Sequence, residues 1–201
     1  MKELIKGSLS GIKVLDFSTL LPGPLATLFL AETGAEVIKI EKPISGDEMR
    51  SSDPKWGDQS LSFSLLNRGK KSISIDLKDA KAKENIWPLL KEADIIVEQF
   101  RPGVMKRLGL DYDSVCRVNK KIIYVSITGY GQNGPKNQVA GHDLNYISNT
   151  GLLSLSMGQG NDTVVPPALI ADIAGGSYPA VINILLALRN RDKNNLGSFI
   201  D

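Results

Sequence analysis

Ile12-Lys13-Val14-Leu15-Asp16-Phe17, Leu21-Pro22-Gly23-Pro24, Leu25 to Ala31 and Glu36-Val37-Ile38-Lys39-Ile40 follow one another in fewer than thirty residues. The first run is short and apolar, as a buried strand is. The proline-glycine pair makes a turn, and Leu25 to Ala31 has the pattern of a helix that Gly34 terminates. Glu36 to Ile40 is the next strand. Strand, turn, helix and strand at this spacing predict a right-handed parallel crossover.

The unit recurs further along the chain. Lys71 to Leu77 alternates like a strand, and Asp76 or Asp79 can open the helix that follows. That helix, Ala80 to Ala93, contains Pro88, so it bends or restarts there. Asp94 to Phe100 and Ile122 to Ile127 are further strands, with short helices at Pro102 to Leu108 and Tyr112 to Asn119 between them. Gly141 to Leu155 is weakly helical, Gly158 to Asp162 is a polar loop, and the prolines after Val164 keep Val164 to Pro167 extended. Asp172 then introduces an apolar helix reaching about Arg189, and Gly197 to Asp201 has the texture of one more strand. The expected class is α/β, a Rossmann-like domain with a mainly parallel sheet. A domain should not stop on a strand, so the chain is expected to be C-terminally incomplete.

Composition narrows the function. The 201 residues are 42% hydrophobic, enough for one sizeable core. Twenty-four basic and 22 acidic residues leave a net charge of +2, which gives no reason to expect nucleic acid. The single cysteine, Cys116, cannot form an internal disulfide and suits a reducing compartment. No signal peptide is legible, and the longest apolar stretch, Tyr178 to Leu188, is too short for a bilayer. Asn161-Asp162-Thr163 matches a glycosylation triplet, with nothing else suggesting secretion. A soluble cytoplasmic protein with no membrane partner is expected.

Several chemistries are disfavoured by what the turns contain. A dinucleotide site needs three glycines at the first strand-to-helix turn, where this chain has Gly23 between two prolines. Glu41 alone stands where a ribose-binding acid would, so NAD is not expected. One histidine and one cysteine cannot build a multi-histidine zinc site, and no metal is expected. The basic residues are more suggestive. Lys42, Lys78 and Arg107 each follow a different strand, at the carboxyl ends where open parallel sheets bind ligands. With Phe100 as a flat apolar partner, they suit phosphates plus a base.

Two residues suggest proton transfer. His142 is the only histidine, and it follows the glycine-rich loop Gly129-Tyr130-Gly131-Gln132-Asn133-Gly134-Pro135. Asp172 lies between Leu169-Ile170-Ala171 and Ile173-Ala174, ahead of Gly175-Gly176. As a helix N-cap it would satisfy backbone amides. As a desolvated carboxylate it would have a pKa tuned for proton transfer or nucleophilic attack.

Leu9 to Phe17, Pro22-Gly23-Pro24, Gly34 to Glu41, Asn67 to Ser72, Phe100 to Val104 and Gly129 to Pro135, in that order, resemble the class III CoA-transferase superfamily of the CaiB/BaiF type. Gly141-His142-Asp143-Leu144-Asn145-Tyr146 resembles the histidine motif of its alpha-methylacyl-CoA racemases. The resemblance implies an acyl-CoA thioester substrate and no cofactor beyond CoA, with His142 and Asp172 as the catalytic pair. It places Leu20, Leu21, Pro22, Lys42, Ile75, Lys78, Gln99, Phe100 and Arg107 at CoA-contacting positions. Asp143, Tyr146, Gly175 and Gly176 fall beside the catalytic pair, and Leu152, Leu153 and Met157 would offer apolar surface to the acyl group. It also implies that residues 1–201 are the N-terminal part of a CoA-binding large domain. A small domain, the return of the chain and a further glutamate would lie beyond Asp201, and two full-length chains would interlock as a homodimer. The implied activity is racemisation alpha to the thioester. Transferase chemistry through an Asp172 intermediate and a shortened, non-catalytic CoA-binding chain are the alternatives.

Overall fold

A computed structural model describes residues 7–156, 158 and 162–201. Met157, Asn161 of the glycosylation triplet and most of the polar loop expected at Gly158 to Asp162 lie outside the described residues.

The strand–helix alternation forms one sheet with helices on both faces. Its elements begin with β1 (Lys13–Asp16), α1 (Pro22–Glu32) and β2 (Glu36–Glu41). A two-stranded hairpin, β3 (Lys55–Trp56) and β4 (Gln59–Ser60), leads to α2 (Leu61–Asn67) and β5 (Lys71–Ser74). Then come α3 (Ala80–Glu84), α4 (Trp87–Glu92), β6 (Ile95–Glu98), α5 (Val104–Leu108), α6 (Tyr112–Cys116) and β7 (Ile123–Ser126). The chain continues through α7 (Asp143–Asn149), a π-helical turn (Ala171–Ser177), α8 (Tyr178–Asn194) and β8 (Ser198–Ile200).

The six main strands lie in the order β5-β2-β1-β6-β7-β8, and every neighbouring pair is parallel. The chain moves from β1 outward to β2 and β5, then returns to the other side of β1 for β6, β7 and β8. The direction therefore reverses between β1 and β6, and a crevice opens beyond the carboxyl ends of strands at such a point.

The strand pleat divides the core in two. Val14, Val37, Ile95, Val97, Ile123 and Val125 face one way, against Ala26 and Leu30 of α1 and Ala180, Ile184 and Ala187 of α8. Leu15, Ile40, Ile96 and Tyr124 face the other way, against Ile86, Leu90, Met105, Leu110 and Val115. Ile95-Ile96-Val97 and Ile123-Tyr124-Val125 are continuous apolar runs because both faces of these strands are covered.

Several local expectations sharpen. Pro88 does restart its helix, in the first turn of α4, and Asp79 caps α3 by accepting the Lys81 amide at 2.9 Å. The last helix is longer than its apolar pattern suggests. Ala171–Asn194 is a continuous 24-residue helical segment, long and apolar enough by composition to cross a membrane. It outruns the apolar pattern because its last turn is polar, and it stops only at Asn195 in a left-handed conformation. One face of α8 packs on the sheet core, as expected for a layer helix.

Candidate active site

The crevice at the chain reversal is a cleft of about 490 Å³. Leu20 comes from the loop after β1, Pro22 from the start of α1, Gln99 and Phe100 from the end of β6, and Thr128 and Gly129 from the loop after β7. His142, Tyr146, Asp172, Gly175 and Gly176 also line the cleft. Residues distant in sequence thus meet where three parallel strands end.

The π-helical turn presents Asp172. Gly175 and Gly176 weaken α-helical preference here, and wide π turns of this kind recur at functional sites. Asp172 is not the N-cap that the sequence allowed, because Ile170 precedes the turn and Asp172 already lies within it. Its amide instead donates to Asp143 Oδ1 at 3.0 Å. Asp143 is buried, while Asp172 is half-buried and faces the cleft. Burial and then the Asp143 carboxylate push the Asp172 carboxyl above its ordinary range, with His142 partly offsetting them.

His142 is the N-cap residue of α7 and is exposed. Its amide donates to Asn145 Oδ1 at 2.9 Å, and its carbonyl accepts the Asn145 amide at 2.9 Å. This reciprocal pair anchors the backbone of His142 and leaves the ring beside the cleft. Tyr146, one turn later, donates from its hydroxyl to the Gly141 carbonyl at 2.7 Å. Its ring fills the space that side chains at Gly129 and Gly141 would take. A Cβ on Gly129 would stand 2.5 Å from the ring edge, and one on Gly141 2.7 Å.

Four of the nine expected CoA-contacting residues line this cleft: Leu20, Pro22, Gln99 and Phe100. Leu21, Lys42, Ile75, Lys78 and Arg107 are not among its lining residues. Lys42 pairs with Glu48 at 3.2 Å at the end of β2, and Lys78 follows β5 at the sheet edge. Arg107 is exposed on α5. They stand on the carboxyl side of the sheet but outside the cleft's walls. Leu152 and Leu153 also lie outside its lining.

Two other lysines are bound internally. Lys39 is fully buried with Asp47 at 2.8 Å, and Lys70 with Asp16 at 3.1 Å. Glu41, the acid at the ribose position, receives two hydrogen bonds from Arg50 at 2.7 Å each. Burial alone would raise its carboxyl, but bonds from Arg50, Ser72 and the Asp47 amide hold it down at about 2.

Gln99 also serves as a scaffold, and Arg101 and Asn137 join the cleft lining. Gln99 Nε2 donates to the Thr19 carbonyl at 2.6 Å, and its Oε1 accepts the Gly23 amide at 3.2 Å, clamping the loop after β1. Asp201 grips the glycine-rich loop, accepting from Thr128 Oγ1 at 3.0 Å and from the Gln132 amide at 2.7 Å. Neither role has a local sequence signal, because each joins segments about 70 or more residues apart.

Fold and cleft together define a parallel α/β domain with a carboxyl-bearing helix turn at its chain reversal. The model for CoA-transferase family III matches residues 9–201, and the chain belongs to that family. Human succinyl-CoA:glutarate CoA-transferase is 40% identical, over 96% of this chain and 44% of its own length. Human alpha-methylacyl-CoA racemase is 35% identical, over 96% of this chain and 47% of its own. A crystal structure of a CaiB/BaiF family protein from Brucella suis superposes with a TM-score of 0.91 at 34% identity, covering 98% of this chain and 53% of that one. The chain spans about half the length of the curated relatives it matches.

Proposed function

We propose that this chain carries the CoA-binding cleft and the acid/base pair of an acyl-CoA racemase, acting by 1,1-proton transfer alpha to the thioester. The observation that carries this reading is that His142 and Asp172 line one cleft together with Leu20, Pro22, Gln99 and Phe100. A thioester carbonyl acidifies its alpha proton, but removal still requires a base placed beside that carbon. One of the pair takes the proton, its electron pair passes into the enolate, and the other returns a proton to the opposite face. A carboxyl raised by burial and by Asp143 is a stronger base than an exposed aspartate, which suits Asp172 to the work. Backbone amides around Gly175 and Gly176 are the candidate partners for the enolate oxygen. The complete protein is proposed to work as an interlocked homodimer.

The test is deuterium uptake. In D₂O, the complete natural protein should exchange the alpha hydrogen of a 2-methylacyl-CoA, and His142→Ala should abolish the exchange. Exchange retained in that variant would remove His142 from the mechanism. Transfer of CoA through a covalent Asp172 intermediate is the second reading, favoured by the presence of Asp172 in the cleft and by relatives named as CoA-transferases. Trapping of an acyl-enzyme by hydroxylamine during turnover, without alpha exchange, would establish that reading instead. Binding of CoA with neither exchange nor transfer would mark a non-catalytic chain.

A further inference from the structure

We infer that Asp47, backed by Lys39, is a positioning residue that shapes the CoA-facing loop by holding Leu20 in a left-handed backbone conformation. The inference rests on the reading of the cleft as a CoA site. Leu20 lines that cleft with φ of 61°, a region that is costly for a bulky L-residue. Such a conformation persists only where surrounding contacts impose it. Here they come from a buried charge pair on two other segments.

Asp47 Oδ1 accepts the Leu20 amide at 3.1 Å and the Met49 amide at 2.9 Å. Its Oδ2 lies 2.8 Å from Lys39 Nζ, and both side chains are about 1% exposed or less. Lys39 Nζ also donates to the Ser18 carbonyl at 2.7 Å. The Asp47 amide in turn donates to Glu41 Oε2 at 2.9 Å, fixing where Asp47 sits. Ser18 and Leu20 are thereby fastened from beneath, while Gln99 holds Thr19 and Gly23 from the cleft side. Ser177 Oγ donates to the Pro22 carbonyl at 2.8 Å, which joins the loop to the turn that bears Asp172.

A buried pair placed only for stability could be replaced by apolar residues at little cost. Asp47 differs in spending one oxygen on a strained amide at the ligand wall. Two double variants separate these roles, since both delete the charges and only one keeps the acceptor. Lys39→Met with Asp47→Asn retains a side-chain oxygen for the Leu20 amide, and Lys39→Met with Asp47→Leu does not. In the complete natural protein, titration with free coenzyme A should show affinity within about twofold of wild type for the asparagine variant. The leucine variant should lose roughly tenfold, about 1.4 kcal/mol. Hydrogen exchange at the Leu20 amide should speed up in the leucine variant alone. Lys39→Met with Asp47→Ala makes the same comparison should the leucine variant not fold. Equal weakening in both variants, or wild-type affinity and exchange in the leucine variant, overturns the inference. A wild-type protein that does not bind coenzyme A overturns the CoA reading instead, and Leu20 exchange then decides the positioning role by itself.

Discussion

The Asp172 amide donates to Asp143 Oδ1 at 3.0 Å, so a buried carboxylate both anchors the helix turn that carries Asp172 and raises the pKa of Asp172. Asp143→Asn keeps the acceptor and deletes the charge. The Asp172 carboxyl should then titrate lower, and the acid limb of the pH–rate profile should move to lower pH with the fold intact. Asp143→Ala loses the acceptor as well, and its kcat should fall roughly 10- to 100-fold, in line with small misplacements of reacting groups. Identical profiles for wild type and Asp143→Asn would show that the charge is not felt at Asp172.

Tyr146 is packed against two glycines, and the tightness of that fit can be measured. Gly129→Ala should force the ring outward and cost about 1–3 kcal/mol, as overpacking does. Tyr146→Phe keeps the ring and loses the hydrogen bond to Gly141, at about 1 kcal/mol. Urea unfolding midpoints rank the two, and a neutral Gly129→Ala would mean that the ring is free to move.

Glu98 gives stability a pH dependence. Its carboxylate accepts from Ser126 Oγ and, at 2.8 Å, from the Phe100 amide. Burial outweighs both bonds and raises its pKa to about 7 from 4.5. The folded state therefore holds this proton more tightly than the unfolded state. The associated stability is fully present below pH 4.5 and is lost as pH rises through 7, a change of roughly 3 kcal/mol. Glu98→Gln mimics the protonated form and should flatten this slope, leaving the variant more stable than wild type at pH 8. A slope unchanged in the variant would assign it to another group.

The Asp16–Lys70 pair sits at the carboxyl end of the central strand, with Thr27 Oγ1 2.6 Å from Asp16 and Asn67 Oδ1 2.9 Å from Lys70. Burial would raise the Asp16 carboxyl, but the Lys70 and Lys39 cations hold it below its ordinary range. Lys70→Met strands that carboxylate and should cost about 3–5 kcal/mol, lowering the melting temperature by roughly 10 °C. Adding Asp16→Asn should recover most of the loss. No recovery in the double variant would show that Lys70 contributes through packing rather than charge.

Periodicity carried most of the fold. Alternating and continuous apolar runs from Ile12 to Ile127 located the strands, and Pro88, Asp79 and Gly34 marked helix boundaries, because these signals act within a few residues. Where the chain offered two local options, it stayed silent. Asp172 suited an N-cap as well as a cleft carboxylate, and only the π turn and the Asp143 contact separate the two.

The sequence by itself therefore determined a parallel α/β domain and the family. It also carried Leu20, Pro22, Gln99 and Phe100 to the cleft. Only the tertiary structure decided which charges are paired inside the fold. Lys39 and Lys70 proved to be buried partners of Asp47 and Asp16, while Lys42, Lys78 and Arg107 stand outside the cleft walls. A lysine in or beside a strand reads alike in either role. Its fate depends on whether a carboxylate from a distant segment folds within about 3 Å of it, and pairwise proximity across the fold leaves no periodic trace in the chain.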